Sequence, residues 1–133
     1  MKTPLELLTD YLDNVQDLEF IASLFADEGA LELPYLATIG FPPRAEGPQQ
    51  IKDFLKNVIG LVADFKFHDL QVFMETQDQV FAEYKVTTTV KETGAAFNQH
   101  YMGRLVAQNG KIMLLRESLD SAATAKTFGI TGF

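Results

Sequence analysis

The spacing of apolar residues predicts helices in the first half of the chain and strands in the second. Thr3-Pro4-Leu5-Glu6 combines a helix N-cap, a proline at the first helical position and a glutamate that can close a capping box. Apolar residues then recur at intervals of three and four, at Leu5, Leu8, Leu12 and Val15. This pattern predicts an amphipathic first helix.

Two further helices are predicted on either side of a short strand. Asp17 can cap the second helix, which we expect to end at Asp27-Glu28-Gly29. Residues 30–35 then predict a strand that its proline confines to an edge or an end. Residues 36–46 form a predicted loop that either covers a cavity or packs onto the helices. Gly47-Pro48 opens a third helix, and its apolar face carries Ile51, Phe54, Leu55, Val58 and Val62.

The remainder of the chain is predicted to be β-structure. Alternating residues indicate strands over 65–74 and 80–90, and residues 98–120 predict a hairpin whose turn is Asn109-Gly110. The tail from residue 121 can form a short helical turn through 122–128. This order of elements predicts one α+β domain over residues 1–133, with three N-terminal helices on one face of a strongly curved, mostly antiparallel sheet. Such a cone leaves a pocket at its open end.

The last predicted strand carries the residue with the clearest chemical potential. Counting by two, one face carries Met113, Leu115, Glu117 and Leu119, and the other carries Ile112, Leu114, Arg116 and Ser118. A carboxylate among hydrocarbon costs free energy unless it is paired or stays protonated with a raised pKa. Glu117 is therefore a general acid/base, a structural carboxylate paired with a lysine or arginine, or a carboxylate exposed at a strand end.

Both faces of this strand are largely apolar, so both should be covered. One face is expected to meet the domain's own core. The other is expected to meet a second layer, for which a second copy of the chain in a homodimer is the natural candidate. Arg116, opposite Glu117, is then expected at that interface.

Composition excludes several function classes. The chain has no cysteine, a formal charge of −7 and no basic cluster, which excludes cysteine chemistry and argues against binding to nucleic acid or an anionic membrane. No histidine spacing suits a metal, and no glycine-rich loop suits a phosphate cofactor. The acidic N-terminal residues and the lack of a long apolar run predict a soluble, cytoplasmic protein. Eleven Phe and four Tyr predict a Phe-packed core or an aromatic-lined pocket for a small hydrophobic ligand.

Two blocks of sequence resemble the nuclear transport factor 2-like superfamily, which includes ketosteroid isomerases, SnoaL-like polyketide cyclases and phenazine biosynthesis A/B proteins. The first is DLEFIASLFADEGALELPY at residues 17–35, followed by RAEGPQQIKDFL. The second is the hairpin pattern NQHY, NGKI and RESLD, which is most similar to the phenazine A/B branch. The resemblance implies a cystatin-like, cone-shaped fold over nearly the whole chain, but this fold hosts catalysts and binding modules alike.

The resemblance implies different roles for different residues. The ketosteroid isomerase base corresponds to Leu33, with Glu32 facing the opposite side, and its other two catalytic groups correspond to Thr9 and Met102. Steroid isomerase chemistry is therefore not implied. The Arg-x-Asp strand motif of limonene epoxide hydrolases is missing as well.

In the phenazine A/B pattern, Glu117 matches the acid/base glutamate and His100 matches a histidine. His100 is therefore a second catalytic candidate, with a structural histidine as the alternative. Arg104 on the same face could hold a substrate carboxylate or form a salt bridge at a dimer surface. Residues predicted to line the pocket are Tyr11, Tyr35, Phe54, Tyr84, Tyr101, Met102, Met113 and Leu115.

The leading hypothesis is a cofactor-free isomerase, cyclase or condensation enzyme that transfers a proton through Glu117 on a small cyclic or aromatic carbonyl compound. The alternatives are a non-catalytic small-molecule binding or dimerisation module and a protein-docking module.

Overall fold

The computed structural model describes residues 1–133 and confirms the predicted α+β class. Its helices are α1 (Pro4–Asp13), α2 (Leu18–Leu24), α3 (Pro48–Leu61) and α4 (Ser121–Thr127), with a 3₁₀ helix at Pro34–Ile39. Its strands are β1 (Phe25–Glu32), β2 (Arg44–Glu46), β3 (Phe67–Glu75), β4 (Gln79–Thr89), β5 (Ala96–Gln108) and β6 (Lys111–Leu119).

The six strands form one sheet in the order β2-β1-β6-β5-β4-β3. Every neighbouring pair is antiparallel except β1 and β6, which run parallel. Helix α1 packs across β3 to β6, α3 packs on α2, β1 and β2, and α4 packs on β5 and the 3₁₀ helix. The helices and the inner face of the sheet enclose a hydrophobic core, and β6 runs through the middle of the sheet.

The start of α1 is capped as predicted. The Thr3 hydroxyl accepts a hydrogen bond from the Glu6 amide at 3.1 Å, and the Glu6 carboxylate accepts one from the Thr3 amide at 2.9 Å. The Asp17 carboxylate likewise accepts from the Phe20 amide at the start of α2. These bonds satisfy backbone donors that a helix leaves free at its N-terminus.

The predicted end of α2 is wrong. The helix stops at Leu24, and Phe25 already has extended backbone angles and begins β1. Tertiary contacts override the helical spacing here, because Phe25 pairs with Ile112 of β6 and its ring lies edge-on to Tyr11. Gly29 does not end a helix. A Cβ at Gly29 would lie 2.5 Å from the Ile112 carbonyl oxygen, so glycine allows β1 and β6 to approach each other.

The predicted loop at 36–46 contains structure that the sequence pattern did not show. Residues 34–39 form the 3₁₀ helix, which replaces the end of the predicted strand, and β2 follows it. Strand β2 pairs antiparallel with β1, matching Leu31 with Ala45 and Glu32 with Arg44. A strand of three residues is too short to show a period of two, so its pairing comes from tertiary contacts.

The hairpin at Asn109-Gly110 is confirmed, and both residues have positive φ angles, 53° and 73°. The predicted face assignment along β6 is only partly right. Ala107 pairs with Ile112 and Val106 pairs with Leu114, so Met113 is an extra residue in a β-bulge. Ile112 consequently faces the core together with Leu115 and Glu117, whereas the period-two count placed Ile112 on the opposite face.

No helix in the structure has the length and apolar character needed to cross a membrane. The cytoplasmic location stays a prediction.

We predict that Gly29→Ala destabilises the fold by about 1–3 kcal/mol, because its Cβ would overlap the Ile112 carbonyl oxygen. Urea unfolding followed by circular dichroism measures the loss. Gly60→Ala is the matched control, since nothing lies within 4 Å of its Cβ position in α3, and it should stabilise by about 0.5–1 kcal/mol. Equal effects of the two substitutions would contradict the close approach of β1 and β6.

Candidate functional site

An apolar cavity lies between the inner face of the sheet and the helices. It encloses about 80 Å³. Sixteen of its eighteen lining residues are hydrophobic, and the remaining two are Glu117 and Thr124. The lining comprises Tyr11, Leu31, Leu33, Leu36, Phe41, Phe54, Leu55, Val58, Leu61, Val62, Phe65, Phe67, Phe97, Tyr101, Glu117, Leu119, Thr124 and Phe128. No lysine, arginine, histidine or aspartate lines it, so Glu117 is the one acidic group and has no basic partner there.

The aromatic residues serve both the core and the cavity. Six of the eleven phenylalanines line the cavity, at positions 41, 54, 65, 67, 97 and 128. Phe67 lies at the centre of an aromatic cluster, with ring centroids 5.3 Å from Tyr84, 5.6 Å from Tyr101 and 6.0 Å from Tyr11. The Phe-packed core and the aromatic-lined pocket are therefore both present, because the same cluster of rings belongs to the core and to the cavity lining.

The carboxyl group of Glu117 is surrounded by the apolar lining of this cavity. The residue is 2 % exposed, and burial raises its pKa to about 7, although a hydrogen bond from Tyr84 opposes the rise. No salt bridge reaches it. The structure therefore contains no ion pair between Glu117 and a lysine or arginine, which was one alternative to an acid/base role.

The two oxygens of the Glu117 carboxyl group have different surroundings. Oε2 accepts a hydrogen bond from the Tyr84 hydroxyl, whereas no protein group donates to Oε1. No polar side-chain atom of the protein is both sealed from solvent and without a partner. The free oxygen is therefore open to the cavity, where it can take or release a proton.

Two tyrosine hydroxyls also face the cavity without a protein partner. Tyr11 is 1 % exposed and Tyr101 is 5 % exposed, yet neither hydroxyl takes part in a hydrogen bond with the protein. Burial, with the nearby Glu117 carboxylate, raises the pKa of both phenols, so both stay protonated donors. A carboxyl group and two free hydroxyl donors thus line one apolar space.

His100, Met102 and Arg104 lie on the outer face of the sheet, so placing them in the site with Glu117 was wrong. On β5 the inward residues are those in phase with Tyr101, and these three alternate with them. The His100 side chain is 52 % exposed and lies 3.6 Å from the Glu83 carboxylate, while Arg104 contacts Gln79. The same strand alternation that brings Tyr101 inside excludes them.

Four other predicted lining residues also lie outside the cavity. Tyr35 is 52 % exposed on the 3₁₀ helix, and Met113 sits in the β6 bulge. Leu115 and Tyr84 are fully buried behind the lining, and Tyr84 contacts Glu117 instead. Tyr11, Phe54, Tyr101 and Glu117 do line the cavity.

Several lining residues were missed by the sequence interpretation. Phe97 is in phase with Tyr101, so counting back by two along β5 would have found it. Phe41 and Phe128 come from segments without a regular period and meet over the cavity, with ring centroids 6.2 Å apart. Leu33 lines the cavity while Glu32 faces outward and pairs with Arg44 and Arg116, as the strand alternation predicted.

No group of three or more metal-ligating side chains is assembled anywhere in the structure. The arrangement can nevertheless perform acid/base chemistry. A carboxyl group with a pKa near neutrality can both accept and return a proton, and adjacent hydroxyl donors can stabilise a developing oxyanion.

Residues 8–115 match the family described as SnoaL-like domain. A proposed isomerase from Bacillus subtilis is 25% identical with a TM-score of 0.81, covering 95% of this chain and 92% of that one. A phenazine biosynthesis-related protein from Pseudomonas aeruginosa is 18% identical with a TM-score of 0.82, covering 98% and 87%. A proposed polyketide cyclase from Xanthomonas campestris is 16% identical with a TM-score of 0.78, covering 93% and 95%. No curated protein matches the chain in sequence.

We predict that Glu117→Gln changes the pH dependence of stability. The pKa of Glu117 is raised in the fold, so its contribution is fully present below the unfolded pKa near 4.5 and is lost as pH rises towards about 7. The amide of the variant does not titrate and has no such loss. The variant should therefore be more stable than wild type at pH 8 by about 3 kcal/mol, with the gap closing below pH ~4.5.

Urea unfolding of both proteins between pH 4 and pH 8 measures this difference. A variant that is less stable than wild type at pH 8, with the deficit fading in acid, would show that Glu117 is stabilised as a carboxylate.

Proposed function

The chain belongs to the SnoaL-like family, and on that basis we propose that it is a cofactor-independent enzyme of the isomerase or cyclase kind. Its substrate is a small cyclic or aromatic carbonyl compound, on which Glu117 moves a proton. The observation that carries the proposal is the buried Glu117 carboxyl group, whose pKa is raised to about 7 and whose Oε1 is open to an apolar cavity. The names of the similar structures, a proposed isomerase and a proposed polyketide cyclase, agree with this class of reaction.

The proposed chemistry begins with the substrate carbonyl oxygen accepting hydrogen bonds from Tyr11 and Tyr101. The Glu117 carboxylate removes a proton from the carbon next to the carbonyl, and the C–H bonding electrons move to the oxygen as an enolate. The two hydroxyl donors stabilise this charge. Protonated Glu117 then returns the proton to another carbon. In a cyclisation, the enolate carbon instead forms a bond to a second carbonyl carbon of the same molecule, and the resulting alkoxide oxygen takes the proton from Glu117.

The charge of the lining limits the substrate class. With no lysine, arginine or histidine in the cavity, a carboxylate on the ligand would lose its hydration without gaining a partner. Arg104, the group considered for holding such a carboxylate, lies on the outer face. We therefore propose that the substrate is uncharged. A substrate with a carboxylate, which Arg104 was considered to bind, is not expected.

We predict that the wild-type protein catalyses exchange of the α-protons of 2-tetralone, a neutral ring ketone, in D₂O, and that Glu117→Gln slows the exchange at least about 100-fold. The amide cannot accept the proton, and general base catalysis contributes about 10²–10⁴-fold. Proton NMR follows the loss of the α-proton signal against a buffer blank. The pH profile should rise through about pH 7, the pKa of Glu117.

His100→Gln is the control, because His100 faces away from the cavity and its loss should leave the exchange rate unchanged. An equal rate in wild type and Glu117→Gln would contradict the proposed role of Glu117. Tight binding of 2-tetralone without exchange would favour the non-catalytic binding module instead.

The outer face of the sheet supports a second proposal, that the protein forms a homodimer there. Met74 and Met102 are 66 % and 41 % exposed on this face; Met74 pairs with the partly buried Phe81 of β4, and Met102 pairs with Glu83, two residues further along the same strand. Charged groups of both signs surround them, including Arg104, which a two-fold related copy could pair with acidic groups such as Glu83. Methionine is enriched at protein interfaces relative to the rest of the surface.

We predict that wild type sediments as a dimer in analytical ultracentrifugation and that Met102→Asp sediments as a monomer, because dimerisation would have to remove the new carboxylate from water. Leu61→Asp is the control, since Leu61 is 45 % exposed on α3, away from this face, and should remain dimeric. A monomeric wild type would contradict the dimer.

A further inference from the structure

Tyr84, Gly103 and Glu117 lie on three adjacent strands. Gly103 of β5 pairs directly with Glu117 of β6 on one side and with Ala82 of β4 on the other. Tyr84 follows two residues after Ala82 and points to the same inner face. Neighbouring strands are about 4.8 Å apart, so the Tyr84 side chain must cross β5 to reach a carboxyl group two strands away.

Gly103 is the position over which Tyr84 crosses. A Cβ built on Gly103 would lie 2.2 Å from the Tyr84 hydroxyl oxygen and 2.9 Å from its Cε1 and Cζ atoms. Any residue other than glycine would therefore push the phenol away from Glu117. The φ angle of Gly103 is not in the left-handed region, so its backbone does not require glycine. Glycine weakens a strand interior, and here the requirement for space accounts for its presence.

Neighbouring aromatic rings hold the Tyr84 ring in this position. Tyr101 stacks on it at 5.7 Å with an interplanar angle of 22°, and Phe67 meets it edge-on at 5.3 Å and 90°. Tyr84 itself is fully buried. Its hydroxyl therefore points in one direction, towards Oε2 of Glu117.

From this geometry we infer that Tyr84 and Gly103 are positioning residues for Glu117: Tyr84 fixes the carboxyl group by donating to Oε2, and Gly103 provides the space that this bond requires. Oε1 is then the oxygen that accepts and releases the proton. Tyr84 does not line the cavity, so it acts through Glu117 and not on the substrate. The inference rests on the proposed role of Glu117 as the acid/base.

The hydrogen bond from Tyr84 also affects the pKa of Glu117. Burial raises the pKa of Glu117, and this hydrogen bond, which favours the charged form, lowers it. The other titratable groups that face the carboxyl group are Tyr11 of α1 and Tyr101 of β5, both neutral, and the cavity lining from β1, α3 and α4 carries no charge. Tyr84 is thus the one protein donor that counteracts burial.

The test is a ¹³C NMR titration of the glutamate side-chain carboxyl signals without any ligand, with Glu117→Gln identifying the Glu117 signal. In Tyr84→Phe the pKa of Glu117 should rise by about one pH unit, because a hydrogen bond to the charged form is lost. Gly103→Ala should raise it in the same direction, since its Cβ displaces the phenol. In the double variant Tyr84→Phe/Gly103→Ala, the pKa should match that of Tyr84→Phe alone.

Tyr101→Phe is the matched control, because it removes a hydroxyl from the same ring stack that makes no bond to Glu117 and should leave the Glu117 pKa nearly unchanged. An unchanged pKa in Tyr84→Phe would overturn the inference, as would equal rises in Tyr84→Phe and Tyr101→Phe. If Gly103→Ala does not fold, Tyr84→Phe decides alone. Since the titration involves no substrate, it can succeed even if the proposed reaction is absent, and fail even if the reaction occurs.

Discussion

The candidate site depends on one unfavourable feature, the burial of the Glu117 carboxyl group among apolar side chains. Glu117 is held there by a single hydrogen bond from Tyr84, with no cation near it. Burial costs less for the neutral acid than for the carboxylate, so the group titrates near neutral pH instead of near pH 4.5. Everything proposed for the cavity, from proton transfer to the preference for uncharged ligands, follows from that environment.

The position of β6 in the sheet creates this environment. The strand lies between β1 and β5, and helices pack on its inner face, so Ile112, Leu115 and Glu117 are at most 2 % exposed. The bulge at Met113 then sets which residues face inward, bringing Ile112, Leu115 and Glu117 to the same side. Three neighbouring strands together determine the surroundings of the carboxyl group, because Gly103, which pairs with Glu117, leaves room for a tyrosine that belongs to a third strand.

Elements with a long regular pattern could be predicted from the sequence, and so could the placement of Glu117 on the same face as Leu115 and Leu119. The Asn109-Gly110 turn fixes the hairpin. Strand β2 and the Met113 bulge could not be predicted, because both arise from pairing with distant segments. His100 and Arg104 were misplaced because nothing in a strand's alternation tells which face meets the core; that depends on where the helices pack.

The most direct measurement of the central claim is infrared difference spectroscopy of the wild-type protein between pH 6 and pH 8, with Glu117→Gln as the reference. A buried protonated carboxyl group has a C=O band separate from that of carboxylates. We expect such a band at pH 6 that disappears with a midpoint near pH 7 and is missing from the variant. If no band belonging to Glu117 is present at pH 6, the carboxyl group is already ionised, and the account of a neutral acid poised in an apolar cavity is wrong.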